Sequence, residues 1–160
     1  MFADYRMVDT LHSLGLQAPG GVLLYGPPGN SKTRIVTAAA SQFNLPLIAL
    51  SSADVYSAYV GEAEAEIRKV FRLARQSSPC ILFFDELDAL VTNRGTDSGG
   101  SNYSAEARVL ATFLTEMDGI SGSNNSVFVF AASNRINAID KALLRKGMHM
   151  TSILLVICYI

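Results

Sequence analysis

At 160 residues the chain has the length of a single domain, and its 49% hydrophobic content supplies ample material for a buried core. A net charge of −1 gives no electrostatic reason for direct contact with nucleic acid or an acidic membrane surface. Two cysteines (Cys80, Cys158) and two histidines (His12, His149) lie far apart, which excludes a disulfide framework and zinc-ligand spacing. The predicted elements, in chain order, begin after a start, Met1 to Thr10, that lacks the apolar segment of a secretory signal. Val22 to Tyr25, Leu47 to Leu50, Ile81 to Phe84 and Val127 to Ala132 are short apolar runs rich in β-formers, as in strands buried on both faces of a parallel sheet. Between them lie helical segments: Lys32 to Phe43; Glu62 to Gln76, with Ile67, Val70, Phe71 and Ala74 on one face; and Ser104 to Met117, with Val109, Leu110, Phe113, Leu114 and Met117 on one face. The final run, Ile153 to Ile160, is wholly apolar but shorter than the roughly 20 residues that span a bilayer. It could form a last strand beside Val22–Tyr25; unpaired, it would be an exposed apolar segment prone to aggregation. A reducing intracellular setting, cytoplasmic or nuclear, and no membrane partner are expected.

The alternation of strands and helices predicts a doubly wound α/β sandwich, with ligands at the carboxyl ends of the strands. Residues Gly26 to Thr33 read GPPGNSKT directly after the first strand. The general phosphate-binding loop is Gly, four residues, then Gly-Lys-Ser/Thr. Here Gly26, Pro27, Pro28, Gly29, Asn30, Ser31, Lys32 and Thr33 fill that pattern, with Ser31 in place of the second glycine. In such a loop successive backbone N–H groups and the following helix N-terminus point at phosphates. Lys32 would reach the β and γ phosphates of a nucleoside triphosphate, and the Thr33 hydroxyl would hold Mg²⁺. A side chain at position 31 costs about 1 kcal/mol if its φ is positive.

The strand Ile81–Phe84 ends in Asp85-Glu86. An acid at that strand end holds Mg²⁺ in P-loop enzymes, and a neighbouring glutamate suits a base that polarises water. Asp-Glu alone could equally be an acidic helix start. The phosphate loop about 50 residues upstream favours the chemical reading. Two loops read as functional rather than connective: Ser57 to Gly61, and Thr92 to Tyr103, rich in Gly, Ser and Asn.

GVLLYGPPGNSKT, ILFFDELDAL, LTEMDGI and AASNRINAIDKALLRKG, in this order over about residues 11 to 147, resemble the AAA family of AAA+ ATPases. Within it the resemblance is to the valosin-containing-protein-like branch, and the Ser-Lys-Thr loop ending is similar to a ribosome-maturation subgroup. The resemblance implies a three-layer P-loop NTPase sandwich, ATP and Mg²⁺ as ligands, and ATP hydrolysis coupled to remodelling or threading of a protein substrate by a homo-hexameric ring. It implies catalytic roles for Glu86, for Asn134 as the sensor that helps place the lytic water, and for Arg145 as an arginine finger. It further implies nucleotide and Mg²⁺ contacts at Asp85 and Thr33, and a substrate-gripping pore loop at Tyr59, Val60 and Gly61. A second pore loop would lie within Thr92 to Tyr103.

The chain departs from the family pattern in places. Where the family has Arg-x-Gly-Arg-Phe, this chain has Arg145-Lys146-Gly147-Met148-His149, so Met148 supplies no second finger. The family continues into a helical lid that residues 148–160 do not resemble, and Met1 to Thr10 does not show the adenine-pocket segment. The expected division is an ATPase large subdomain at 1–147 and an atypical apolar tail at 148–160. The alternative to a working ATPase is a truncated, catalytically impaired nucleotide-binding fragment or an interaction module. A P-loop kinase or GTPase is disfavoured by the Asp85-Glu86 pair and by the absence of an Asn-Lys-x-Asp guanine-reading segment.

Overall fold

A computed structural model describes residues 21–52, 55, 62–90, 102–121, 126–140, 142–144 and 151–154. Strand β1 (Gly21–Tyr25) leads through the phosphate loop into helix α1 (Lys32–Phe43), then β2 (Leu47–Ser51), α2 (Ala63–Gln76), β3 (Cys80–Asp85), the one-turn α3 (Leu87–Leu90), α4 (Asn102–Ser121), β4 (Val127–Ser133), a 3₁₀ turn (Ile136–Ala138) and β5 (Thr151–Leu154). The five strands form one sheet in the order β2-β3-β4-β1-β5, and every neighbouring pair is parallel. This is the doubly wound α/β sandwich expected from the strand-helix alternation, and the P-loop NTPase-like fold that the resemblance implied.

Period-two side-chain alternation divides the core into two layers. Leu23, Leu82, Phe84, Val129 and Ala131 face one side and pack with Ile67, Phe71, Phe113 and Met117 from α2 and α4. Leu24, Ile81, Phe83 and Ala132 face the other side and pack with Val36 and Ala40 of α1. The first five residues of β3 are all apolar and all buried, as a central strand between two helical layers requires. Beneath its carboxyl end, Phe71, Phe84 and Phe113 form a mutually contacting trio, with ring centroids 5.5, 5.7 and 4.9 Å apart. Phe113 packs edge-to-face on both other rings, which fixes ring orientation as well as burying area. The trio anchors the backbone that presents Asp85 and Glu86.

The helices end where their caps dictate. α2 carries Glu64 and Glu66 in its first turn and Arg75 in its last, in the sense the helix dipole favours. α1 stops at Asn44, whose left-handed backbone (φ 52°) lets Leu45 N–H reach Ala40 O at 3.0 Å and Asn44 N–H reach Ser41 O at 3.2 Å. That pairing closes the helix in a Schellman-type turn. α4 runs from Asn102 to Ser121, longer at both ends than the Ser104–Met117 expectation, so the Gly/Ser/Asn-rich segment is left with fewer residues than Thr92–Tyr103. Ion pairs Arg75–Glu116 (2.7 Å) and Arg108–Glu64 (3.0 Å) join α2 to α4 across their partly exposed flanks.

Of the two alternatives for the apolar end, the described part takes the strand: β5 pairs with β1, with Val22 opposite Thr151 and Tyr25 opposite Leu154, and residues 155–160 lie outside the described residues. The strand begins two residues before the apolar run, because Thr151 and Ser152 supply backbone to the ladder regardless of side-chain polarity. β5 is an edge strand, and Ile153 and Leu154 remain exposed.

Candidate functional site

The carboxyl ends of β1, β3 and β4 lie side by side at the middle of the sheet, and each sends a polar segment from the same edge. After β1, the chain turns through three positive-φ residues: Gly26 (154°), Gly29 (85°) and Ser31 (56°). Ser31 is therefore left-handed at the position where the general motif has glycine, and it is the N-cap of α1 without a side-chain cap bond. Its carbonyl accepts the first helical bond from Ile35 N–H at 3.0 Å. The helix thus starts at Lys32, with its free N–H groups directed into the loop.

Lys32 is 8% exposed, low for a lysine, and its ammonium donates to Gly26 O at 2.8 Å and Pro27 O at 2.9 Å. A buried ammonium is tolerable only when hydrogen-bonded. The cation is stationed across the mouth of its own loop. The Thr33 hydroxyl donates to Asp85 Oδ2 at 2.8 Å, which joins the phosphate loop to the end of β3 across 52 positions of sequence. The oxygen donors Thr33 Oγ1 and Asp85 suit a hard cation such as Mg²⁺, which keeps several waters and uses one or two carboxylates. Among the described residues no group of three or more His, Cys, Asp or Glu side chains is gathered at one place.

Glu86 follows with φ 53°, a strained conformation for a non-glycine residue. Three hydrogen bonds hold it there. Its own N–H donates to Asp85 Oδ1 at 2.9 Å, its carbonyl accepts Ala89 N–H at 2.9 Å, and its carboxylate Oε2 accepts the Ser52 hydroxyl at 3.2 Å. Ser52, 5% exposed, was not anticipated from the sequence. The signal lay in strand pairing: Ser51 is the register partner of Asp85, so the residue after each stands beside the other. At the end of β4, Ser133 O accepts Gly26 N–H at 3.3 Å, which sets Asn134 immediately beside the loop's first residue. Asn134 is exposed, and its N–H is directed at Asp88 Oδ1 of α3, 3.4 Å away.

Gly26 to Thr33, Asp85, Glu86 and Asn134 are therefore brought to one end of the sheet. Tyr59, Val60, Gly61 and Arg145 lie outside the described residues, as does Met148. A hollow of about 500 Å³ lies at the far end of α1, lined by Asn44, Leu45 and Pro46 among others. It shares no residue with the phosphate loop and is separate from the candidate site.

The sequence profile of the "ATPase family associated with various cellular activities (AAA)" matches residues 22–155. The chain belongs to the AAA family. The match runs past Met148, where the family resemblance was expected to stop, and takes in β5, whose pairing with β1 gives those residues their place in the sheet. The AAA chain is 50% identical over 134 residues to the human "ATPase family gene 2 protein homolog A", covering 84% of the chain and 15% of that protein. It is 46% identical over 138 residues to "Peroxisomal ATPase pex6" of Schizosaccharomyces pombe, covering 86% of the chain and 14% of the relative. It is 46% identical over 139 residues to "Ribosome biogenesis ATPase RIX7" of Saccharomyces cerevisiae, covering 87% of the chain and 16% of the relative. The AAA chain thus spans only 14–16% of the length of these relatives. Among the described residues no helix is long and apolar enough to cross a membrane.

Proposed function

We propose that this chain is the α/β unit of an ATPase, binding ATP with Mg²⁺ at the end of β1, β3 and β4. The observation that carries the reading is the junction of Lys32, Thr33 and Asp85: a buried ammonium on the loop carbonyls, and a threonine hydroxyl 2.8 Å from the acid of another strand. The N–H groups of the loop and of the α1 N-terminus suit polyphosphate oxygens, and Lys32 adds the compensating positive charge. Thr33 and Asp85 would hold Mg²⁺, which when bound neutralises charge on the β and γ phosphates. Glu86 is the base for the attacking water. Its left-handed backbone and the hydrogen bond from Ser52 support that role, because they hold the carboxylate in one position. Asn134, one residue beyond the Ser133–Gly26 bond, would orient that water.

The further assignments follow the family. Tyr59, Val60 and Gly61 would grip a polypeptide, Arg145 would serve a neighbouring subunit's γ-phosphate, and a homo-hexameric ring would remodel or thread protein substrates. The names of the relatives support an intracellular setting, peroxisomal in one and linked to ribosome biogenesis in another. The division into an ATPase subdomain at 1–147 and a tail at 148–160 is offered on the same footing, with β5 as the part of the tail that joins the sheet.

Isothermal calorimetry with Mg²⁺-ATP tests the reading. Lys32→Ala is expected to abolish binding, because it removes the loop's cation and leaves the fold's core untouched. Unchanged affinity in that variant, at unchanged thermal stability, overturns the phosphate-site assignment.

A further inference from the structure

The turn after β4 has a side-chain acceptor opposite each of its first two backbone N–H groups. Arg135 N–H donates to Ser133 Oγ at 2.9 Å, and Asn134 N–H is directed at Asp88 Oδ1, 3.4 Å away. Both acceptors are held in place. Ser133 is 1% exposed, and its carbonyl is bonded to Gly26 N–H. Asp88 sits on α3 between Leu87 and Leu90, which are 0% and 1% exposed, so the core grips the helix that carries it. Asp88 is also only two residues beyond Glu86. The segment that carries the base therefore also holds the turn that carries Asn134, while Ser133 ties that turn to the phosphate loop.

We propose that Asp88 and Ser133 are positioning residues for Asn134. They fix the backbone of the 134–135 turn, and through it the origin of the Asn134 side chain. This rests on the assignment of Asn134 to the nucleotide site made above. An asparagine has a short side chain, so its amide lies where its backbone puts it. A misplacement of about 1 Å in a reacting group's partner is enough to lower turnover by roughly 10²-fold. Asp88 offers an acceptor oxygen to that N–H from a helix that the core holds in place. Neither residue touches the reacting atoms in this scheme.

Amide hydrogen exchange by NMR on the full chain is the direct test. Asp88→Ala is expected to speed exchange of the Asn134 N–H by about tenfold, the scale of one hydrogen bond, and to leave Arg135 protected. Ser133→Ala is expected to do the reverse. Asp88→Asn and Ser133→Thr each retain an acceptor oxygen and should restore protection. In the same samples, a non-hydrolysable ATP analogue with Mg²⁺ should bind all variants with unchanged Kd. It should shift the Asn134 side-chain amide resonances in wild type and in the two conservative variants, and shift them less in the alanine variants. Unaltered protection at both amides, or conservative variants that behave like the alanine ones, overturns the proposal. If the wild-type chain binds no analogue, the nucleotide assignment fails, and amide protection alone then upholds or overturns the tether.

Discussion

Ser31→Gly probes the most unusual residue of the phosphate loop. Serine occupies a left-handed conformation there, φ 56° and ψ 26°, and its side chain makes no cap hydrogen bond. For an L-residue that conformation costs roughly 1–2 kcal/mol, at the lower end for a short polar side chain. Glycine removes that strain but has a more disordered unfolded state, which takes back about 0.5–1 kcal/mol. The balance is a gain of about 0–1 kcal/mol, or a rise in Tm of roughly 0–4 °C for a chain of this size. Ser31→Ala keeps the strain and loses no bond, so it should lie within about 0.5 kcal/mol of wild type. Urea unfolding of the three proteins should give the order glycine at or above serine, with alanine level with serine. ATP affinity should be the same for glycine as for serine, since the backbone does the binding. A glycine variant less stable than wild type by about 1 kcal/mol, or one that binds ATP much more weakly, would falsify the strain argument and give the hydroxyl a role of its own.

Glu86→Gln should retain ATP binding and lower turnover by about 10²–10⁴-fold, the range ascribed to general-base catalysis; equal phosphate release from the two proteins rejects the base assignment. Phe113→Ala should destabilise the fold by about 3–5 kcal/mol, because it opens a cavity under β3; a loss below about 1 kcal/mol in urea unfolding would mean that the aromatic trio is not holding that strand. Cys80 is fully buried, its thiol donates to Ala74 O at 3.2 Å, and burial pushes its pKa above the ordinary 9.0. Only the unfolded thiol then ionises near pH 9.0, so folding stability should fall as pH rises through that value, and Cys80→Ala should remove this part of the slope. Native-state alkylation mapped by mass spectrometry should likewise spare Cys80, and rapid labelling would contradict the burial.

Much of the fold was legible because β1 to β4 are built on short apolar runs and α2 and α4 each carry a one-sided stripe. α1 was expected at Lys32 to Phe43 and forms there, since the phosphate loop marks its start and Asn44 its end. The positive φ of Ser31 was legible for a related reason: a motif that normally has glycine signals a backbone conformation, whatever residue stands there. The apolar run at the end was legible but its pairing was not, and the first two residues of β5 are polar and carry no such mark. Ser52, Asp88 and Ser133 were not legible. Each acts through a contact set by strand register or by the seating of α3, and nothing in local composition distinguishes a serine or aspartate with such a partner from one without. The 3₁₀ turn at Ile136–Ala138 was missed because three residues carry no period.

The sheet order has a consequence for how the chain reaches this state. β1 is made first, but both of its partners lie far downstream: β4 begins about 100 residues after β1 ends, and β5 later still. At roughly 5–20 residues per second of synthesis, β1 waits about 5–20 s for its first neighbour. β2 and β3, with α2 between them, can pair well before that. The phosphate loop hangs from β1, so it is expected to be among the last parts of the described sheet to become ordered during translation. Nascent chains halted before β4 emerges should carry every residue of the loop and bind no nucleotide.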